Sequence, residues 1–235
     1  MKARDLLDVV LFDLDGTVAD THGLILQCFD YAMKQHTGLA GKREIWKARI
    51  GLPLDDILCA TYAHYGLASP TEAQLDAVKQ TYRAHMREND ESIRAFDGVP
   101  EILATLKAGG SRLGIVTTKH RAMAVRHLER IGLLNLFESE AVICGDMCAA
   151  YKPSPEPFRA ALRALGAGPE SAAMVGDSEH DILGAKAAGL LAVAACWGTD
   201  NRGTLLAAGP DFIAEEPNEL PGIFASAPGR RTITR

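Results

Sequence analysis

The sequence predicts an α/β fold, in which a doubly wound, Rossmann-like parallel sheet core carries an inserted small helical cap domain. From residue 94 onward, short apolar runs alternate with helical segments, as in parallel sheets covered by helices on both faces. Between residues 18 and 93 the apolar residues recur with helical spacing, and no strand is expected. We therefore predict a core of residues 1–17 and 94–235 and a helical cap of residues 18–93.

The first third of the chain begins with the apolar run VVLF, residues 9–12, which predicts the first central strand. Three helices are then predicted, over residues 21–38, 53–66 and 69–89. Thr21 is expected to cap the first helix. Ser69 is expected to cap the third, with Pro70 at its first position and Glu72 completing a capping box.

The remaining two thirds of the chain alternate between strand and helix. Buried strands are predicted in the runs RLGIVTT, EAVICGD, AAMVGD and LLAVAACW. Helices are predicted over residues 99–108, 121–131, 155–165 and 179–188, each followed by a glycine. This alternation is the basis for predicting a single parallel sheet.

Composition and charge exclude several classes of protein. The net charge of −5, from 25 basic and 30 acidic residues, provides no broad positive field for nucleic acid. No run reaches the roughly 18 to 20 apolar residues of a membrane span. Five cysteines, an odd number, do not form the disulfide framework of a secreted protein. We expect a cytoplasmic protein that binds neither nucleic acid nor membrane, either a monomer or a homodimer.

Polar residues stand at the ends of the predicted strands. Asp13 follows the first strand, Thr117 ends the second, and Asp177 follows the run AAMVG. In doubly wound sheets, ligands bind beyond the carboxyl ends of the strands. We therefore expect these side chains to meet at one edge of the sheet.

The acidic pair Asp13 and Asp15 predicts a metal site. Residues at i and i+2 of an extended segment point the same way, so both carboxylates can reach one place. Together with Asp177, Asp13 and the backbone carbonyl of Asp15 would form the hard oxygen site that Mg²⁺ prefers. The alternatives are an ordinary acidic turn at Gly16 and a helix cap at Asp177.

Two further residues suit a phosphate ligand. Thr117 offers a hydroxyl beside backbone N–H groups, although a threonine at a strand end is often structural. Lys152 lies between a strand and a helix in the loop YKPSPEP, next to Pro153 and Pro155, where it is either solvated or held beside the carboxylates to neutralise a phosphoryl group.

The order and spacing of four motifs, DLDGT, VTT, the lysine of YKPSPEP and GDSEHD, resemble the haloacid dehalogenase-like hydrolase superfamily. The resemblance spans nearly the whole chain, and the helical insertion is similar to the small cap of that superfamily. It implies a Mg²⁺-dependent phosphatase acting on a small phosphorylated metabolite.

The resemblance also implies a role for each site residue. Asp13 would be the nucleophile that forms an aspartyl-phosphate, and Asp15 would be the general acid and then the base. Thr117 and Lys152 would hold the phosphoryl group. Asp177 would bind Mg²⁺, and Asp181 would orient the site. We expect the pKa of Asp15 to be raised by the charge of Asp13 or of bound phosphate.

The resemblance does not decide which substrate the protein acts on. Phosphoglycolate phosphatases and bacterial pyrophosphatases are both similar, and Thr118 favours the pyrophosphatases because the phosphoglycolate enzymes commonly carry asparagine there. Isomerases of the β-phosphoglucomutase type share the architecture. Thr118 and Arg49, the latter in a cap loop, are the predicted substrate-binding residues, while His22 is expected to be a surface or helix-start residue. The alternative from another class is a phospho-receiver signalling module.

Overall fold

The computed structural model describes residues 7–49, 51–199 and 201–227. Its strands, in chain order, are β1 (Val9–Phe12), β2 (Ala19–Asp20), β3 (Arg94–Ala95), β4 (Arg112–Val116), β5 (Val142–Ile143), β6 (Ala172–Gly176), β7 (Leu191–Ala195) and β8 (Phe212–Ala214). Six of them form one sheet in the order β5-β4-β1-β6-β7-β8, and every neighbouring pair is parallel. The predicted doubly wound α/β fold is confirmed.

Ten α-helices complete the described fold: α1 (His22–Thr37), α2 (Arg43–Lys47), α3 (Leu54–His64), α4 (Glu72–Asn89), α5 (Val99–Ala108), α6 (Arg121–Arg130), α7 (Glu156–Ala164), α8 (Glu179–Ala188), α9 (Arg202–Ala207) and α10 (Leu220–Ser226). The four predicted core helices correspond to α5, α6, α7 and α8, each within a residue at either end. None of the helices in the described residues has both the length and the apolar character needed to cross a bilayer.

The central strand β1 is covered on both faces, as a doubly wound sheet requires. Val10 and Phe12 pack in one hydrophobic cluster, and Val9 and Leu11 pack in the cluster on the other face. All four side chains are buried, because successive residues of a strand point to opposite faces. This double burial explains why the strand is an unbroken apolar run without polar alternation.

Helices α1 to α4 form a helical segment between the first and second strands of the main sheet. They share a hydrophobic cluster of their own, which includes Phe29, Trp46, Leu58 and Val78. The division of the chain at residues 18 and 93 stays a prediction, but the presence of four helices between 22 and 89 agrees with it.

A two-stranded antiparallel ribbon joins this helical segment to the sheet. Ala19 pairs with Ala95 and Asp20 with Arg94. The expectation of no strand between residues 18 and 93 is therefore wrong at β2. A strand of two residues is too short to show periodicity in the sequence. This one forms because the chain leaves the core for the helical segment and returns to the core at adjacent points.

The third helix of the predicted cap begins later than expected. Thr71, not Ser69, caps α4: its hydroxyl accepts from the N–H of Gln74 at 3.3 Å, and the Gln74 side chain accepts from the N–H of Thr71 at 2.9 Å. The segment contains two possible capping boxes two residues apart. The second box is the one formed, so the predicted cap at Ser69 is wrong.

His127 is a titratable side chain buried in the core on α6. It has no exposed surface, and neither ring nitrogen has a hydrogen-bond partner among the described residues. Burial, assisted by the charge of Lys119 and opposed by that of Asp15, lowers the pKa of His127 from 6.5 to about 4. The folded protein therefore keeps this ring neutral at pH values where the unfolded chain protonates it.

This burial predicts a specific loss of stability in mild acid. As the pH falls from about 6.5 to 4, His127 binds a proton in the unfolded chain but not in the folded protein. The free energy of unfolding therefore falls by up to about 3 kcal/mol. Urea unfolding at about pH 7, 5.5 and 4.5 should show this loss in the wild type and its absence in His127→Leu. Parallel pH dependence in the two proteins would show that His127 is not the cause.

Candidate active site

Three strand ends converge on one point at the edge of the sheet. Asp13, Thr117 and Asp177 each follow directly after β1, β4 and β6, which are neighbours in the sheet, and all three side chains are buried. The N–H of Asp13 donates to the carbonyl of Val175 at 3.0 Å, which continues the ladder beyond the strand. The sheet thus fixes the positions of these side chains.

Lys152 projects into this cluster and is almost fully buried. Its ammonium lies 3.0 Å from Oδ1 of Asp13 and 2.7 Å from Oδ1 of Asp181, and it donates to the carbonyl of Val116 at 3.2 Å. Burial acts to lower the pKa of Lys152, but the two carboxylates outweigh burial and raise it. Lys152 is therefore a fixed cation and not a solvated loop side chain.

Asp181 orients Lys152 and caps helix α8. Its Oδ2 accepts from the N–H of Ser178 at 3.1 Å and from the Ser178 hydroxyl at 2.6 Å, while its Oδ1 pairs with Lys152. Because Ser178 is the N-cap of α8, the alternative of a capping role for Asp177 is wrong. Asp177 is left available for other ligands.

The carboxylates at this edge fit a hard divalent cation. Asp13, Asp177 and Asp181 can each offer a ligand atom within 4.8 Å of the others. Oδ2 of Asp177 is buried and has no hydrogen-bond donor among the described residues, and the buried Oδ1 of Asp13 lies 3.0 Å from the Lys152 ammonium. Asp181 already binds Lys152 and Ser178 through its two oxygens, which leaves Asp13 and Asp177 as the candidate ligands.

Burial raises the pKa values of both proposed metal ligands. For Asp13, Lys152 opposes the effect of burial, while the charges of Asp181 and Asp177 add to it. For Asp177, burial and the charge of Asp181 outweigh the hydrogen bond that the Thr17 hydroxyl donates at 2.9 Å. Carboxylates crowded in this way favour a bound cation or a proton. These buried oxygens suit Mg²⁺.

The tight turn after Asp15 depends on a glycine. Gly16 has φ of 83°, a left-handed conformation that other residues rarely adopt. A Cβ built on Gly16 would lie 2.3 Å from Oδ2 of Asp177 and 2.6 Å from the ring of His22. Both backbone conformation and space therefore require glycine where the chain passes the carboxylates.

Asp15 turns its side chain away from the other carboxylates. Its Oδ1 accepts from the Thr21 hydroxyl and from the ammonium of Lys119, each at 2.5 Å. Thr21 is the N-cap residue of α1, but its hydroxyl binds Asp15 and makes no capping bond. The side chain of Asp15 is thus no metal ligand in this arrangement; the predicted contribution of its backbone carbonyl stays a prediction.

The expectation of a raised pKa for Asp15 is wrong for the arrangement in this structure. Burial alone would raise that pKa, but the charge of Lys119, followed by that of His127 and the hydrogen bonds from Lys119 and Thr21, lowers it to about 2. Lys119 directly follows Thr117 and Thr118 at a strand end. That position was the signal in the sequence that could have identified this partner.

A cavity of about 240 Å³ extends from the sheet edge into the helical segment. From the core it is lined by Asp13, Asp15, Thr117 and the predicted substrate residue Thr118. From the helical segment it is lined mainly by apolar side chains, including Trp46, Ile57 and Met86. One end of the cavity is therefore charged and the other is largely apolar.

The predicted substrate residue Arg49 is not among the cavity-lining residues of the described chain, whereas Arg83 of α4 is. The loop after Arg49 does descend on the site: a Cβ built on Gly51 would lie 2.7 Å from the Ser178 hydroxyl oxygen. Leu52 and Pro53 line the cavity instead of Arg49. The sequence indicated that the loop after Arg49 approaches the site. It did not indicate which side chains of that loop line the cavity.

His22 approaches the carboxylates more closely than expected. It is the first residue of α1, as one of the two expected positions required, but it is nearly buried, and its Nε2 lies 3.7 Å from Oδ2 of Asp177. The other expectation, a surface position, is wrong, because Trp46 of α2 packs edge-on against the His22 ring at 4.9 Å. Only the tertiary contact between these helices reveals this.

Comparisons with known proteins identify the family of this chain. Residues 10–195 match the haloacid dehalogenase-like hydrolase family. The chain is 34% identical over 223 residues to pyrophosphatase PpaX of Bacillus mycoides (strain KBAB4), covering 95% of this chain and 99% of that protein. It is 37% identical over 218 residues to "Probable phosphatase IndB" of Dickeya dadantii (strain 3937), covering 91% and 92%.

A similar solved structure is that of "a predicted phosphoglycolate phosphatase" from Haemophilus somnus 129pt. Its TM-score is 0.82 at 26% sequence identity, and the match covers 92% of this chain and 97% of that chain. Sequence match, relatives and fold all indicate the same family. The chain therefore belongs to the haloacid dehalogenase-like hydrolase family.

Proposed function

We propose that this protein is a Mg²⁺-dependent phosphatase that hydrolyses a small phosphate monoester, similar to phosphoglycolate, through an aspartyl-phosphate on Asp13. The observation that carries the proposal is the convergence of three buried carboxylates, those of Asp13, Asp177 and Asp181, beside the buried ammonium of Lys152. Phosphoryl transfer depends mainly on positioning and charge neutralisation. This edge of the sheet offers both.

Asp13 is the proposed nucleophile. One of its carboxylate oxygens would form a bond to phosphorus while the bond to the leaving ester oxygen breaks. Lys152 fixes Asp13 from one side, and the hydroxyl of Thr117 lies at the adjacent strand end, where it can donate to a phosphoryl oxygen. Water would then attack the aspartyl-phosphate, releasing phosphate and restoring the carboxylate.

Asp15 is the proposed acid and base. It would give a proton to the leaving oxygen and then take one from the attacking water. The contact with Lys119 lowers the pKa of Asp15 and favours its ionised form. The proton donation therefore requires that the contact between Lys119 and Asp15 be replaced when substrate binds.

Mg²⁺ would be held by Asp13, Asp177 and the backbone carbonyl of Asp15. When bound, it would supply positive charge to the phosphoryl oxygens. Asp181 would keep Lys152 in place beside these ligands through the pair at 2.7 Å.

A second candidate substrate is inorganic pyrophosphate. The relative from Bacillus mycoides that shares 34% identity over 223 residues is named a pyrophosphatase, and Thr118 favours the same branch. The receiver-module alternative is not proposed, because the chain belongs to a hydrolase family. The cytoplasmic location and the choice between monomer and homodimer stay predictions.

The nucleophile is tested by Asp13→Asn. Because the amide cannot form the acyl phosphate, Mg²⁺-dependent phosphate release should fall by at least about 1,000-fold. The matched control is Asp20→Asn, the same substitution at an exposed position of β2, which should leave activity unchanged. Substantial turnover by a folded Asp13→Asn protein, checked by circular dichroism, would refute the role of Asp13.

The substrate branch is tested by one phosphate-release panel with Mg²⁺, comparing 2-phosphoglycolate, pyrophosphate, sugar phosphates and nucleotides. We expect kcat/KM for 2-phosphoglycolate to exceed the others by more than about 100-fold, or about 2.7 kcal/mol of transition-state binding. A similar margin for pyrophosphate would replace the first candidate by the second. Equal activity on all four would indicate a generalist phosphatase and contradict both.

A further inference from the structure

The charged side chains that line the cavity are almost all paired with one another or with a neighbour. Each lining carboxylate lies close to a basic side chain, in the pairs Asp13–Lys152 at 3.0 Å, Asp15–Lys119 at 2.5 Å, Asp55–Lys79 at 3.1 Å and Asp146–His120 at 3.2 Å. Lys79 is also 2.9 Å from Asp76. In each of these pairs the basic side chain already has a carboxylate as its neighbour.

Arg83 is the exception. Its side chain lines the cavity and is partly buried, but it makes no hydrogen bond or ion pair with any described residue. A guanidinium carries five N–H donors and is always charged, and its planar fork matches a carboxylate or phosphate. The cavity therefore contains one cation without an anion of its own.

Arg83 is on α4, so it lines the cavity from the side of the helical segment. Lys79, Tyr82, Arg83 and Met86 share the face of α4 that lines the cavity, as their helical spacing requires. Two turns further on, the buried carboxylate of Asp90 pairs with Arg126 and Arg130 of the core helix α6. This contact joins the end of α4 to the core. It therefore limits how far Arg83 can move relative to Asp13.

The surroundings of Arg83 favour an anionic partner from the substrate. Apolar side chains of the helical segment, such as Trp46 and Ile57, line the same cavity and exclude part of the water that would otherwise hydrate a charge. An ion pair formed there is stronger than one on the open surface. The phosphoryl group is proposed to lie on the sheet side of the cavity, beside Asp13 and Lys152.

We infer that Arg83 binds a second anionic group of the substrate, a carboxylate or a second phosphate, and so selects phosphate compounds that are charged at both ends. This inference rests on the proposed function, because it places the transferred phosphoryl group at Asp13. It assigns Arg83 to recognition of the substrate and gives it no part in the bond changes.

The test compares Arg83→Met with the wild type on three substrates. These are 2-phosphoglycolate, which carries a carboxylate, pyrophosphate, which carries a second phosphate, and ethyl phosphate, which carries neither. The variant should lose about 10- to 100-fold in kcat/KM on a substrate whose second anion Arg83 binds, as expected for a lost hydrogen bond to a charged group. On ethyl phosphate the loss should stay below about threefold.

The two anionic substrates distinguish the two chemistries. A larger loss on 2-phosphoglycolate identifies a carboxylate, and a larger loss on pyrophosphate identifies a phosphate; either supports the inference. Arg83→Lys keeps the charge and should recover part of the activity. Arg87→Met is the matched control, since Arg87 is exposed one turn along the same helix. Equal losses on all three substrates, or no loss on any, would overturn the inference.

Binding separates this inference from the proposed function. If the wild type hydrolyses none of the three compounds, the proposed function fails, and binding of 2-phosphoglycolate and pyrophosphate in the presence of Mg²⁺ can be measured directly by calorimetry. Weaker binding of either compound to Arg83→Met, with normal binding to Arg87→Met, would still support the inference. Equal affinities in both variants would refute it.

Discussion

The buried ammonium of Lys152 is the interaction on which the rest of the site depends. It lies between Asp13 and Asp181 and also donates to the carbonyl of Val116, so it joins the ends of β1 and β4 to the start of α8. Burying one charge without a partner is strongly unfavourable, and removing one member of a buried pair leaves the other uncompensated. Without Lys152, the carboxylates of Asp13, Asp177 and Asp181 would repel one another in a buried site, where water screens charge poorly.

In our proposal, the sheet edge carries the chemistry and the helical segment carries recognition of the substrate. The sheet edge supplies the proposed nucleophile and metal ligands, whose backbone positions follow from hydrogen bonds of the parallel ladder. The helical segment supplies the apolar wall and Arg83. Asp15 lies at the junction, because its carboxylate binds both Thr21, where α1 begins, and Lys119 of the core. A substrate that contacts the helical segment can therefore affect the residue proposed for proton transfer.

The fold and the centre of the site could be predicted because they depend on local patterns. Strand and helix periodicity predicts the sheet, and the carboxyl ends of adjacent strands must share an edge, which brings Asp13, Thr117 and Asp177 together. The pKa of Asp15 could not be predicted, since it depends on Lys119, which lies 104 residues away in the chain. Long-range contacts likewise decide that Arg83 and not Arg49 faces the cavity. The sixth strand of the sheet, β8, was missed because three residues show no clear period.

The account is tested most directly by a crystal structure of the protein with Mg²⁺ and beryllium trifluoride, a mimic of a phosphoryl group on a carboxylate. The account predicts a beryllium atom bonded to an oxygen of Asp13 and a magnesium ion coordinated by Asp13 and Asp177, with Lys152 beside the fluorides. A fluoroberyllate on another residue, or a magnesium ion that does not contact Asp177, would contradict it.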